Sequence, residues 1–319
     1  MQSPYTLKST RLTFENFEGS FVTHGINVIQ DPVQEDYVYI FAINHLPNPE
    51  YFEVAEHPSS EKIARGRSQM KQFNYVLHSK YINHVRSILH PLINTPNEIH
   101  VVSLHSFYVT NDNFYGDGAM RFVEGMWPFA RWSNIVHIEI TDLESADAAA
   151  SLEAPVALTG LWNNNGLSQG RKPKELVISS AMGGQLHISQ RQGNTTIYIE
   201  DTINFYTVTN NPSYYIDPYS TEEDDASGFV VAGVTRAFYA KSERHSNKLG
   251  SSQVWYTRPK KQKWTGCDKK LLFEDDGSRI HIASATILVL IKPTDGQKRA
   301  LCFITGFMSE SIIAVLVGL

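Results

Sequence analysis

Apolar and polar residues alternate along much of this chain, in runs about as long as a β-strand. "DYVYIFAINH", "FNYVLHS", "NEIHVVSL", "SFYVTND", "NIVHIEI", "TTIYIED" and "RIHIASATILVLIKP" are of this kind, and Val, Ile, Tyr, Phe and Thr dominate them. Turn signals separate the runs at short spacing, which favours a sandwich, barrel or propeller over a parallel α/β sheet. Helical patterning is sparse. The best amphipathic stretch is "DGAMRFVEGMWPFARWS", residues 117–133, interrupted by Pro128. Residues 59–75 are charged enough to read as a short surface turn or loop, and the small, polar residues 142–154 as a linker or loop. An acidic run at 220–228 and a basic one at 258–264 read as solvated loops. No strict repeat is visible, but propeller blades diverge until only strand number and spacing remain.

Composition narrows the class without naming a function. The chain has 319 residues, 42% hydrophobic and 19% charged, a globular balance that supports a sizeable core and a single all-β domain over residues 1–319. A net charge of −5 gives no general attraction to nucleic acid or anionic membranes. The apolar run "IIAVLV" is far shorter than the roughly 20 residues of a membrane helix, so no transmembrane segment is expected. The start "MQSPYTLKSTRLTFENF" has no apolar signal-peptide core. Two cysteines, Cys267 and Cys302, are expected to be free and buried. Asn194-Thr195-Thr196 is a glycosylation sequon, a pattern common by chance.

Several chemistries lack their motifs. There is no G-x-S-x-G elbow, phosphate loop, dinucleotide fingerprint or H-E-x-x-H pair. His78, His84 and His90 recur every six residues, a spacing that suits neither one helix face nor a zinc pair. Asparagines at strand ends are a better signal. Asn97 opens one run beside Glu98; Asn163, Asn164 and Asn165 precede Gly166; Asn210 and Asn211 precede Pro212. Each alone reads as a turn residue, because Asn tolerates left-handed backbone and caps its own turn. Converging on one axis, their amide oxygens would instead suit a hard cation such as calcium. His24 in "FVTHGINVIQD" and His45 in "YIFAINHLP" are open to the same two readings, core residues or a general base with its tuning partner.

"FVTHGINV", "YVYIFAINH", "NEIHVVSLHSFYVTND" and "ALCFITGFM", in that order, resemble the serum paraoxonase/arylesterase family, in the style of its fungal members. The resemblance runs from residue 12 to the C-terminus and is strongest through Asp112. It implies a six-bladed β-propeller with two calcium ions in its tunnel, one structural and one catalytic, that hydrolyses lactones and often aryl esters. By position, it implies Asn97, Asn165 and Asn211 as catalytic-calcium ligands and the Ile26 carbonyl as a structural-calcium ligand. His24 matches the general base and His45 the second histidine of the dyad, while Asn111 and Asp112 match a turn that supports the metal site. Residues 126–132 match a helical lid, which extends the expectation to contact with a lipid surface through 117–133.

The resemblance also has departures. Asn210 stands where the family has an aspartate ligand of the catalytic calcium, and Glu98 where it has an aspartate ligand of the structural one. No Glu-Asp pair precedes His24, although the family carries one on an earlier strand; Glu15 and Glu18 are not substitutes, and the cysteine that staples that segment to the C-terminus has no counterpart. The expectation is therefore an incomplete first blade and a weakened catalytic calcium site, because calcium affinity follows ligand charge. The other class of function this leaves open is a propeller that has lost catalysis and serves as a binding or structural module. As written the chain would be soluble and intracellular; with a preceding segment it would be secreted or membrane-anchored.

Overall fold

In the computed structural model, which describes residues 10–53, 63–143, 145, 149, 151–193, 195–235, 250–260, 263–291 and 297–319, the strands differ in how they are buried. "PNEIHV", "ELVISS" and "GFVVAGV" are buried at every position. "IAVLVG" alternates between more covered and exposed positions, and "TIYIEDTIN" is exposed at five of its nine. Strands buried on both faces lie in sheets packed between other sheets, and alternating ones at the outer edges.

The strands form five sheets. The first holds β1 (Thr13–Phe14), β2 (Thr23–Gln30), β3 (Tyr37–Pro47), β4 (Gly66–Val76) and β5 (Tyr81–Ile88), with a short α1 (Pro49–Glu53) between β3 and β4. β2 to β5 make an antiparallel meander, and β1 joins β5 in parallel. The second sheet holds β6 (Pro96–Val101), β7 (Ser106–Asn111), β8 (Ser133–Ile140), β9 (Leu152–Glu153) and β10 (Val156–Leu161), with α2 (Gly118–Met126) between β7 and β8. The third is the meander β11 (Asn164–Gln169), β12 (Glu175–Ser180), β13 (Gln185–Gln192) and β14 (Thr196–Asn204). β15 (Val208–Tyr215), β16 (Gly228–Val234), β17 (Ser252–Lys260) and β18 (Lys263–Asp275) form the fourth, and β19 (Ala283–Ile291), β20 (Arg299–Gly306) and β21 (Ile313–Gly318) the fifth.

Apolar cores lie between successive sheets, which makes the arrangement a β-propeller. Phe41 and Met70 meet Ile99, Phe107 and Val136 between the first two blades. Tyr108 and Ile135 meet Leu176 and Ile178 between the next two. Val177, Leu186 and Ile188 pack on Phe229, Val231 and Trp264, and Val230, Val254 and Tyr256 on Leu288, Ala300 and Cys302. The other face of the first blade is covered by Phe14, Phe17 and Phe21 packed on Phe73.

Three expectations need correction. Among the described residues the blades number five, not six. The first blade has a full four-strand meander, whereas the last has three strands. Residues 59–62 lie outside the described residues, but 66–75 are not a surface turn: they belong to strand β4, and Lys71 is buried there, donating to Gln69 Oε1 at 2.8 Å and Ser87 Oγ at 2.6 Å. The amphipathic stretch does form helix α2, which stops before Pro128 as sterics require. Cys267 and Cys302 are free, the first half-buried and the second buried. Asn194 and parts of the 142–154 and 258–264 stretches lie outside the described residues. No helix among the described residues is long and apolar enough to cross a membrane.

Candidate active site

Five strands stand innermost, one per blade: β2, β6, β11, β15 and β19. Each loses register with its partner at one point. β2 slips between Thr23 and Ile26, passing over His24 and Gly25. β6 slips between Pro96 and Ile99, over Asn97 and Glu98, and β11 between Asn164 and Leu167, over Asn165 and Gly166. β15 slips between Thr209 and Pro212, over Asn210 and Asn211, and β19 between Ala283 and Ala285, over Ser284. Such irregularities release residues from the ladder and re-aim them. His24, Asn97, Glu98, Asn165, Asn210 and Asn211 thus fall in these slips, whereas His45 and Ile26 stand in regular register. Ser284, in the fifth, carries no signal in an otherwise alternating run.

The irregular segments touch in sequence. A Cβ on Gly25 would stand 2.6 Å from the Asn97 carbonyl oxygen and 2.7 Å from Glu98 Oε1. Thr110 Oγ1 accepts the Glu98 N–H at 3.0 Å and donates to the Asn165 carbonyl at 2.8 Å. A Cβ on Gly166 would stand 2.5 Å from Pro212 Cδ and 2.7 Å from Asn211 Cα. Asn210 Nδ2 donates to the Ala283 carbonyl at 3.0 Å. Glycine is needed at both positions because the neighbouring blade occupies the space of a side chain.

Some polar atoms here are left over. Asn97 Oδ1 and Asn211 Oδ1 are buried without a hydrogen-bond partner, as are both amide atoms of Asn164. A buried acceptor left unpaired costs about 1–3 kcal/mol, so such a pattern calls for a ligand. Unpaired amide oxygens are donors of the type calcium takes, and the residues present therefore fit that ion, through neutral donors with Glu98 as the neighbouring carboxylate. Among the described residues no group of three His, Cys, Asp or Glu is placed to share an ion. Burial pushes the Glu98 carboxyl up to about 8, against the opposing N–H donors of Ile99 and Ile26. Ile26 itself is 49% exposed.

His24 and His45 come together as expected, their rings edge to face with centroids 5.5 Å apart. They line a cleft of about 540 Å³ with Asn97, Asp112, Arg121 and Phe307. Burial holds His24 below its ordinary pKa. His45 is lowered to about 4, by burial first and then by the charges of His24 and Arg121. Both imidazoles are therefore neutral near pH 7, as a proton acceptor must be. His45 Nδ1 is 2.8 Å from Ser68 Oγ, and the Phe307 ring lies 6.1 Å from that of His24.

Asn111 does not face a ligand. Its Oδ1 accepts the N–H groups of Asn94 and Thr95, and its Nδ2 donates to the Leu92 carbonyl at 2.8 Å and Asn134 Oδ1 at 2.7 Å. It fixes the loop that leads into β6. Asp112 is pushed up by burial, with Arg121 of α2 opposing at 3.5 Å. Helix α2 is anchored by Glu124, whose carboxylate accepts the Phe114 and Tyr115 N–H groups. Phe122, Trp127 and Phe129 at this edge remain exposed, Phe129 to 77%. Ser68, Arg121, Glu124 and Phe307 escaped sequence reasoning, because each acts by a long-range contact that no local pattern announces.

Residues 10–222 match the arylesterase family. The chain is 24% identical over 200 residues to serum paraoxonase/arylesterase 2 of Gallus gallus, covering 63% of this chain and 47% of that protein. It is 25% identical over 199 residues to serum paraoxonase/arylesterase 1 of Mus musculus, covering 62% and 46% respectively. The chain thus spans about half the length of the curated relatives it matches. Among solved structures, a putative 6-phosphogluconolactonase from Bacteroides fragilis aligns over 92% of this chain and 83% of its own, at 9% identity and a TM-score of 0.44, too low to carry an argument. The family match extends over well over half of the chain and includes the irregular segments at His24, Asn97, Asn165 and Asn211: this protein belongs to the arylesterase family.

Proposed function

We propose that this chain is a hydrolase of lactones and aryl esters that works in the cleft between His24 and His45, with calcium as its resident cofactor. The observation that carries this reading is the pair of neutral, facing imidazoles in a cleft that also reaches Asn97, whose Oδ1 is buried and unpaired. Asn97, Asn165, Asn210, Asn211, Glu98 and the Ile26 carbonyl would hold the ion. Bound there, calcium supplies a Lewis acid for the ester carbonyl and for the charge that develops on its oxygen. His24 accepts the proton of the attacking water. His45, held by Ser68, packs edge-on against His24 and fixes its ring. Phe307 gives the cleft an apolar wall on the side of the base. Exposed Phe122, Trp127 and Phe129 support the further reading that the lid edge rests on a lipid surface.

The test is turnover of phenyl acetate and of a δ-lactone by the purified chain in calcium. A loss of about 10²-fold or more on His24→Gln is expected of a general base. Undiminished turnover by both His24→Gln and His45→Gln would remove the cleft from the mechanism. A second reading, a propeller kept for binding or structure, is favoured by Asn210, an amide where the resemblance expects a carboxylate ligand. A folded chain that neither hydrolyses these esters nor responds to calcium would select it.

A further inference from the structure

A second cleft, of about 520 Å³, lies between the second and third blades, away from the histidine pair. Ser106, Glu139 and Glu153 stand abreast across β7, β8 and β9, with Ser106 opposite Glu139 and Glu139 opposite Glu153. Residues directly opposed in a ladder share a face, and like charges so placed destabilise the sheet. His137 lies two residues from Glu139 on the same face. The facing blade presents cations: Lys174 and Arg191 are neighbours, with the Arg191 N–H on the Lys174 carbonyl at 2.9 Å.

Carboxylates therefore line one wall and cations the other. Among the described residues neither Glu139 nor Glu153 comes within 4.0 Å of Lys174 or Arg191 as an ion pair. The guanidinium gives one Nη2 bond to the Pro173 carbonyl at 2.7 Å, and its buried Nε has no partner. His137, 1% exposed, has Nε2 at 2.7 Å from Ser106 Oγ and 3.8 Å from Glu139 Oε2, and its buried Nδ1 is also unpartnered. Burial lowers the His137 pKa, with Glu139 opposing and Arg191 adding to the shift, so this imidazole does not neutralise the carboxylates near pH 7. A serine nucleophile would need its carboxylate on the other imidazole nitrogen. Here serine and glutamate share Nε2, an arrangement for binding rather than hydrolysis.

We propose that this cleft binds a small zwitterion of the α-amino acid type, its carboxylate at Arg191 and Lys174 and its ammonium at Glu139 and Glu153. One molecule then separates the opposed carboxylates with a cation and engages the guanidinium edge whose Nε has no partner in the protein. A simple anion would meet the glutamates, and a simple cation the arginine and lysine. The site is independent of the esterase reading and shares none of its residues.

Titration calorimetry of the purified full chain with each standard amino acid tests this, with sodium acetate and ethylammonium chloride as separate probes. At least one amino acid is expected to bind saturably, and acetate and ethylammonium at least about tenfold more weakly, because each makes half of the charged contacts. Arg191→Gln and Glu139→Gln should each weaken binding by about tenfold or more at unchanged melting temperature. Lys174→Gln replaces Arg191→Gln if that variant fails to fold. No saturable amino acid, unchanged affinity in both variants, or ethylammonium bound as tightly as the zwitterion would each overturn the proposal.

Discussion

At the scale of single residues, the site is defined by what its side chains leave unpaired. Asn97 Oδ1 is buried without a donor, a cost that a purely structural asparagine has no reason to carry. Asn97→Ala should therefore leave the melting temperature in chelator close to that of wild type, while reducing the rise that calcium produces. A thermal shift series with and without chelator checks both halves. Because burial holds the His24 imidazole below its ordinary pKa, the acid limb of the rate should lie below that of a free imidazole. A pH profile of kcat/KM, which reports the free enzyme, measures this. His24, His45 and the asparagines drew notice as polar residues at strand ends, but locally each also read as a core or turn residue, and only the ordered resemblance gave them roles. Phe307 and Ser284 drew none, since an apolar or small polar residue in a strand fits its alternation and raises no question.

The element that organises the site is the irregular segment repeated on each innermost strand. Its register slip is a property of strand pairs, so the period-two pattern that announces strands gives no sign of it. Only the accompanying Gly25 and Gly166 leave a trace, and both read locally as turn residues. Gly166→Ala would place a Cβ within 2.7 Å of Asn211 Cα, so the third and fourth blades must move apart. The expected cost is about 1–3 kcal/mol by urea denaturation, together with loss of hydrolysis. Strand β4 shows the opposite failure. Its charges suggested a solvated loop, yet Lys71 is buried because Gln69 and Ser87 satisfy its ammonium group.

For the molecule as a whole, the resemblance carried the propeller but overstated it by one blade, because the number of blades follows from how many sheets the chain supplies and not from any motif. The last two blades are clamped by Lys298, whose Nζ lies 2.5 Å from Asp217 Oδ2 and 3.0 Å from Asp224 Oδ2. The Asp217 side chain is 0% exposed, so Lys298→Met should cost about 3–5 kcal/mol by stranding a buried charge. Burial alone would raise the Asp217 pKa, but hydrogen bonds from Lys298 and from the Ala226 and Tyr219 amides hold it below the usual range. A depressed carboxylate stabilises the fold above its unfolded pKa of about 3.9 and loses that contribution as pH falls through the folded value. The gap between wild type and variant should thus be full near neutrality and shrink in acid.

Calcium titration calorimetry on the chelator-treated chain addresses the central claim, that the irregular inner strands hold the ion a hydrolase needs. Saturable binding that is weakened in both Asn97→Ala and Asn211→Ala is the predicted result. A folded protein that gives no heat of binding, or binding untouched by either substitution, would contradict the account.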